Sequence, residues 1–447
     1  MTIKTQSQLS KLLLKPFAVA ALSAMATANA ADLLEIYHAA QSQDPVFASA
    51  RATQRAGKEK LAQGRALLLP SVNLSANTTF NDNTTQYRNP AFPSGASRFN
   101  SDSIGVNLVQ PLYRQQNRVA YTESGLQVAQ TDAQFRSTEQ NLILRVAQAY
   151  FDVLIAQDGV ALAGAQKQAI AEQLEQAKRN FEVGSATITD THEAQARHDL
   201  VSAQEIAAQS NLEIKKRALQ QLTNAMPVAL NPLGAQFKLE SPQPADMEKW
   251  VEQAQQRSLQ LAVAQAAAQL AEKEVERNRA GHYPTLDLVA NYTQSSAGGG
   301  SLTSESRNAA LGVQLNVPLY QGGVLNSRSR EAEANLDRAK EELENARRTV
   351  ALQTRQAYLG VVNGIAQVEA LQQALKSSET LLEASKLGQQ VGVRTNLDVL
   401  NAQQQLFSTR RDLYQAEYNY LISQLQIKAA AGTLTEEDLA KVNRALY

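Results

Sequence analysis

The nearest approach to a catalytic or metal-binding motif in this chain is a short histidine-containing segment. His192-Glu193 has the first two residues of H-E-x-x-H, but the next histidine is His198, six residues on rather than four. A spacing of six does not return to the same helix face, so no shared metal is predicted. The chain also has no Cys, no G-x-S-x-G sequence and no phosphate-cradling glycine loop. The sequence therefore predicts no catalytic residue, no metal and no cofactor.

Polar residues with a clearer role lie in a short segment that occurs twice. Residues 183–190 and 391–398 share the pattern V-G-x-x-T-x-x-D. A glycine at a helix end supplies a left-handed cap. The Thr then begins the next helix, and the Asp three residues later completes a capping box. Each segment is therefore predicted to reverse the chain between two helices.

The two turns belong to a tandem duplication that covers most of the chain. Residues 105–113 align with 312–320 at an offset of 207, whereas residues 148–150 align with 356–358, and the turns with each other, at 208. Such a period is far longer than that of solenoid repeats. The predicted divisions are a first repeat at 31–226, a Pro-rich linker at 227–244, a second repeat at 245–431 and a C-terminal segment at 432–447.

Each repeat is predicted to run helix, β-hairpin, long helix, turn and return helix. The predicted helices are 33–66, 115–181 and 191–222, then 247–279, 324–390 and 399–430. Alternation of apolar and polar residues predicts two-faced strands in hairpins at 71–110 and 285–317. An ordinary sheet that covers a core is the alternative interpretation of these strands.

Loops and the chain end give further expectations. Polar loops are predicted at 81–100 and 295–308, with Gly298 to Gly300 as a flexible stretch. A short last helix is predicted to begin at Thr433.

The N-terminus and the overall charge narrow the class of protein. Residues 1–30 combine a basic start, a short apolar core and an A-x-A sequence, which predicts a secretory signal peptide. An uncleaved anchor is the alternative, but the apolar core is too short to span a bilayer. With 43 basic and 43 acidic residues, the chain has no nucleic-acid-binding signature. No run of 18 apolar residues follows the signal peptide, and four strands cannot close a barrel, so membrane insertion would require several chains.

The duplicated plan resembles the TolC family of outer-membrane efflux and type I secretion channels. The residues that carry the resemblance are VGVRTNLDVLNAQ at 391–403 and the run at 418–434. The resemblance implies a mainly α protein with membrane β-strands, a homotrimer of four strands per protomer. Its twelve-stranded β-barrel would lie in outer-membrane lipid of a Gram-negative bacterium, continued by a long periplasmic coiled-coil tunnel, with the linker and C-terminus in an equatorial region.

The resemblance also implies partners. A periplasmic adaptor protein and an inner-membrane ABC or proton-driven transporter would dock at the helical end. The residues expected to meet the adaptor are in the tip turns: Val183, Gly184, Val391 and Gly392.

At the periplasmic end, the resemblance implies a gate that opens by an iris-like movement. Arg394 falls on the family's entrance arginine, and Thr189 and Asp190 fall on its partners in the neighbouring coil. The tyrosine expected five residues before the arginine is Gln389, so one gate contact is expected to differ. As an alternative, Arg394 is an ordinary solvated charge at the tip.

The resemblance further implies a ring of aspartates around the pore entrance. Asp398 falls on the first of two such positions, whereas the second is Asn401. A single ring is therefore expected, with its pKa values raised by mutual repulsion. The same carboxylate is also expected to cap its own helix.

Two other functions compete with a channel. A secreted coiled-coil structural protein or surface filament would use the same long helices, but four segments with one apolar face each have no purpose there. A periplasmic adaptor is the second alternative, but adaptors usually contain one helical hairpin rather than a duplicated pair.

Overall fold

The computed structural model describes residues 31–446, except for 93, 227–228, 235–237 and 300–301. The predicted signal peptide at 1–30 and part of the predicted linker lie outside the described residues. The described chain contains two successive copies of one unit, each with a helix pair, a strand pair, a long helix and a return helix.

The bounds of the elements follow the duplication closely. The first copy contains α1 (Leu33–Gln43), α2 (Pro45–Ala66), β1 (Ser71–Thr85), β2 (Gly95–Tyr113), α3 (Gln115–Glu182) and α4 (Ile188–Thr223). The second contains α5 (Met247–Arg257), α6 (Leu259–Arg279), β3 (Thr285–Gly299), β4 (Leu302–Asn316), α7 (Val324–Gln390) and α8 (Asn396–Ala430). A short α9 (Glu436–Asn443) follows.

The prediction of a single helix at the start of each copy is wrong, because the structure has two helices there. In the first copy, the side chain of Asp44 accepts a hydrogen bond from the Phe47 N–H at 3.2 Å and begins α2. Pro45 occupies the first helical position, where its missing N–H costs nothing. Asp44 is only 3% exposed, and the Arg145 guanidinium lies 2.5 Å from its carboxylate.

The equivalent break in the second copy is at Ser258, whose side chain makes no capping hydrogen bond. Gly432, which follows α8 and has a φ of 70°, lies against this break. A Cβ on Gly432 would lie 2.2 Å from the Arg257 carbonyl oxygen, so only glycine fits between α8 and the α5–α6 junction.

The four strands form one antiparallel sheet in the order β1-β2-β3-β4. The strands extend into both predicted loops, and β3 continues through Gly298, which was expected to be loop. The backbone ladder with neighbouring strands outweighs the low strand propensity of Ser and Gly in these segments. The loop between the strands of the first copy is therefore much shorter than predicted.

The sheet has one apolar and one polar face, as the alternation predicts. A row of directly paired residues on the apolar face crosses all four strands: Val72, Leu108, Ala290 and Leu311. The neighbouring row on the other face contains Asn73, Asn107, Asn291 and Ala310. Large apolar side chains on the first face, including Leu74 and Val313, are exposed in the protomer.

The main hydrophobic core lies midway along the helical part, where α1, α3, α8 and α9 meet. Its largest buried side chains include Tyr37, Phe47, Tyr150, Phe151, Tyr420 and Leu439. The predicted linker and C-terminal segment lie together beside this core, with the Gly234 N–H donating to the Ala445 carbonyl at 2.8 Å. We call this region the equatorial core.

The last helix begins two residues later than predicted. Thr435, rather than Thr433, forms the capping box with Asp438. The Thr433 N–H instead donates to the Lys428 carbonyl at 2.9 Å, so Thr433 belongs to the end of α8. None of the helices in the described part of the chain has the combined length and hydropathy of a transmembrane span.

Candidate functional site: the tip turns

The two tip turns have the geometry that their sequence predicts. Gly184 and Gly392 have φ values of 69° and 80°. Thr187 and Thr395 each cap the following helix, with a complete capping box to Asp190 and Asp398. Local hydrogen bonds over three residues are sufficient to form each box, which is why the sequence predicts it correctly.

The side chain of Arg394 lies across the end of α7 and points along its own turn. A Cβ on Gly388 would lie 2.6 Å from the Arg394 Cγ, so the arginine occupies the space that this glycine leaves. The guanidinium Nη1 is 3.7 Å from Asp398 Oδ1. Both side chains are substantially exposed, so this ion pair contributes little stability. Within the described residues, Arg394 forms no ion pair with Asp190.

Asp190 caps α4 through one carboxylate oxygen only. Its Oδ2 accepts from the Thr187 N–H at 2.9 Å and from the Thr187 hydroxyl at 2.8 Å. Thr189, the other expected gate residue, precedes it in the first turn of α4 and is exposed. The protomer alone therefore brings Arg394 together with Asp398, and not with Thr189 or Asp190.

Hydrogen bonds within the capping box hold the pKa of Asp398 below its usual range. The Thr395 N–H is the main cause, followed by the Thr395 hydroxyl and then by the nearby Arg394 charge. Because the pKa is lowered on folding, the stabilisation is present above the ordinary pKa and is lost as the pH falls through the folded value. Within one protomer, Asp398 is therefore a charged carboxylate at neutral pH.

The two residues that depart from the family pattern have their own partners in the protomer. Gln389 donates from Nε2 to Asn396 Oδ1 at 3.2 Å. Asn401 accepts through Oδ1 from Arg197 Nη2 on α4 at 2.9 Å, and the other Arg197 amine donates to Gln404. Asn401 thus joins α8 to α4, a contact that an aspartate here could also make.

Arg197 is a tip residue that the sequence analysis missed. It lies seven residues after Asp190 on α4, a spacing that places both on one helix face. That spacing was the available signal, but the partners of Arg197 on α8 are 204 and 207 residues away. The tip turns also expose apolar side chains, notably Val183, Val391 and Val393. Exposed apolar groups on a turn are suited to contact another protein.

A second charged cluster, also missed, lies nearer the equatorial core. The Tyr418 hydroxyl donates to Asp158 Oδ2 at 2.8 Å across the α3–α8 contact. Burial and then the Asp158 charge raise the pKa of the half-buried Glu417 to about 7, whereas a hydrogen bond from Gln372 opposes this. Burial also raises the pKa of Asp158. This cluster therefore changes its charge in the pH range near neutrality.

The raised pKa of Glu417 gives the protein a pH-dependent stability. Because the folded state holds this proton more tightly, the stabilisation is complete below the ordinary value of 4.5 and is lost as the pH rises to about 7. The Glu417→Gln variant cannot lose a proton, so its Tm should fall less than that of the wild type across this range. Thermal unfolding in detergent followed by circular dichroism measures the difference.

Glu59→Gln is the matched control for this prediction, since its exposed carboxylate lies on α2, away from the cluster. It should keep the wild-type dependence of Tm on pH. A Glu417→Gln variant with the same dependence as the wild type would remove Glu417 from this role.

The described residues contain no group of three or more His, Cys, Asp or Glu side chains placed to hold a metal ion. His198 Nδ1 lies 3.5 Å from Asp199 Oδ1, not beside His192.

Known proteins resemble this chain over nearly its whole length. A model of the outer membrane efflux protein family matches residues 36–225 and 250–433. Outer membrane protein TolC of Vibrio cholerae is 37% identical, covering 98% of this chain and 99% of that protein. Alkaline protease secretion protein AprF of Pseudomonas aeruginosa is 35% identical, covering 93% of this chain and 87% of that protein.

Solved structures have the same protomer fold at much lower identity. The CmeC outer membrane channel of Campylobacter jejuni superposes with a TM-score of 0.77 at 17% identity, covering 99% of this chain and 98% of that one. The two matched segments of the family model correspond closely to the two structural copies. These matches do not favour the filament alternative. The chain therefore belongs to the outer membrane efflux protein family and is an outer-membrane channel with a periplasmic helical domain.

Proposed function

We propose that three copies of this chain form one exit duct, through which substrates pass from inner-membrane transporters to the outside. The observation that carries this proposal is the open four-stranded sheet, which has one continuous apolar face and an unpaired edge at β1 and at β4. Because a membrane sheet must satisfy every backbone group, it needs further strands to close. Three copies supply twelve strands, which exceeds the minimum of about eight.

Below the sheet, α3 and α7 provide the length of a periplasmic tunnel. With 68 and 67 residues, each extends about 100 Å. The tip turns lie at the end remote from the strands and expose Val183 and Val391, which suits docking to a periplasmic adaptor. An ABC or proton-driven transporter would then supply the energy. The name of the Pseudomonas relative supports protein secretion, and the family name supports efflux of small molecules.

At the tip, Arg394 has the properties of a gate residue. Its 3.7 Å contact with Asp398 is long and exposed, so the guanidinium can exchange it for a better acceptor at little cost. Asp190 uses only Oδ2 in its capping box and offers Oδ1 to such a donor. We place Arg394 against Thr189 and Asp190 of the neighbouring coil in the closed trimer. Gln389 would keep its hydrogen bond to Asn396.

The docking part of the proposal is tested with a photo-crosslinking amino acid at position 391. In whole cells, ultraviolet light should form a covalent adduct between the channel and a periplasmic adaptor through this exposed tip. The adduct should also form when the transporter is co-expressed. The same amino acid at position 59, on the exposed face of α2, is the control and should give no adaptor adduct. Adducts at 59 but not at 391 would refute docking through the tips.

For the gate, Arg394→Ser should raise single-channel conductance in planar bilayers. Three lost contacts of about 0.5–1 kcal/mol each shift the balance from closed to open by roughly tenfold or more. Lys178→Ser is the control, since the ion pair of this exposed lysine among the described residues is with Glu175 on its own helix, at 2.9 Å. A closed-state conductance that does not change in Arg394→Ser would exclude the arginine from the gate.

For the entrance ring, Asp398→Asn should abolish block by a trivalent cation added on the periplasmic side. The amide can still accept the hydrogen bonds from Thr395, so the helix cap is retained while the three ring charges are removed. Glu182→Gln removes an exposed acid at the end of α3 and should leave the block intact. Block that persists in Asp398→Asn would place the cation site elsewhere.

A further inference from the structure

Gly388 lies in the last turn of α7, at a position where the backbone itself does not require glycine. Its carbonyl oxygen accepts hydrogen bonds from the N–H groups of Val393 and Arg394, at 2.9 and 3.1 Å. In the first copy, the carbonyl oxygen of the equivalent residue, Asn180, accepts the same two bonds at 2.8 and 3.2 Å. Since asparagine forms the same turn, and since glycine is unfavourable in a helix, Gly388 needs another explanation.

The space beside Gly388 contains the stem of the Arg394 side chain. A Cβ at position 388 would lie 2.6 Å from the Arg394 Cγ and 3.2 Å from its Cβ. Both atoms lie at the root of the side chain, so the arginine could avoid a methyl group at 388 only by adopting another rotamer. Gly388 is buried, whereas the Arg394 side chain is 56% exposed, so the stem covers the glycine while the guanidinium remains in water. We call this space the Gly388 gap.

The two copies differ in side-chain size at both of these positions, and in opposite directions. The second copy has Gly388 and Arg394, whereas the first has Asn180 and Ala186 at the equivalent positions. A long side chain in the turn is thus accompanied by glycine in the helix, and a short one by asparagine. This exchange of size indicates that Gly388 accommodates the arginine rather than the backbone of the turn.

We infer that Gly388 is a positioning residue for Arg394, because the Gly388 gap is where the arginine stem lies when the guanidinium contacts Asp398 of its own turn. The inference rests on the proposed gate and describes its released state. From the gap, Arg394 Nη1 lies 3.7 Å from Asp398 Oδ1. In the proposed closed trimer, the same guanidinium contacts Thr189 and Asp190 of the neighbouring coil, so the two positions compete for one side chain. The Gly388 gap therefore favours release, and a side chain at 388 favours closure.

A double-mutant cycle of Tm values tests the packing in the gap independently of the gate. In an Arg394→Ala background, Gly388→Ala should raise the Tm by roughly 2 °C, because alanine is the better helix former and no Cγ remains to oppose it. In the wild-type background, the same substitution should leave the Tm unchanged or lower it. Thermal unfolding in detergent, followed by circular dichroism, measures both effects. Gly125→Ala on α3 is the matched control, since a Cβ there would meet no packed atom within 4 Å, and it should act equally in both backgrounds.

Single-channel recording in planar bilayers tests the effect of the gap on the gate. Gly388→Ala should make openings roughly two- to fivefold rarer, which is the equilibrium factor for one exposed ion pair. In the Arg394→Ala background, the substitution at 388 should not change the frequency of opening, because the side chain that uses the gap is absent. A Gly388→Ala chain that forms trimers only when Arg394→Ala is also present would support the same inference.

An equal rise in Tm in both backgrounds would overturn the inference, because the arginine would then not occupy the Gly388 gap. Openings in Gly388→Ala that are as frequent as in the wild type, or more frequent, would also overturn it. Either result leaves the proposed gate intact as long as Arg394→Ser raises the conductance. An unchanged conductance in Arg394→Ser would instead refute the gate, while the Tm cycle would still report whether the arginine occupies the gap.

Discussion

The backbone hydrogen bonds at the two edges of the sheet limit how this protein can be arranged in a membrane. In the described part of each chain there are four antiparallel strands, and β1 and β4 each have one side without a partner strand. In lipid, an unsatisfied backbone group costs several kcal/mol, so an open edge does not persist there. The proposed assembly with other copies would cover the apolar side chains that α4 and α7 expose in the single chain, whereas those on the sheet would face lipid.

The duplication supplies the four strands as two similar pairs. The two pairs join through β2 and β3 within one chain. The copies have nevertheless diverged in their charges. Arg114 and Asp287 stabilise the internal junction, and Asp158, Glu417 and Tyr418 form an acidic cluster on the internal contact between α3 and α8. The contact between α3 and α8 therefore changes its charge near neutral pH.

The two tip turns have the same backbone geometry but differ in the side chains that they carry. Both turns have the same left-handed glycine and the same capping box, which fix the direction of each helix. The second turn adds Arg394, whose weak contact with Asp398 leaves it free to change partners. The first turn has Ala186 at the equivalent position and offers an acceptor in Asp190. In the proposed gate, Arg394 can therefore change partners while both helices stay folded.

Features that depend on neighbours in the chain could be predicted from the residues alone. The caps at Thr187 and Thr395 need only three residues, and the two-faced strands need only alternation. The break at Asp44 was missed although Asp-Pro is a helix-start signal, whereas the break at Ser258 has no local signal and accompanies the close approach of Gly432. Likewise, strand ends were misjudged because the ladder with neighbouring strands sets them.

Contacts between distant segments could not be predicted in this way, because they form when the folded helices pack together. The tertiary structure joined Asn401 to Arg197, 204 residues away, and gave Gln389 a partner in Asn396. It also raised the pKa of Glu417 by burying this group beside Asp158. Pattern and spacing report which face a residue occupies, but hydrogen bonds and pKa shifts depend on distances of a few ångströms, which are set when separate helices pack.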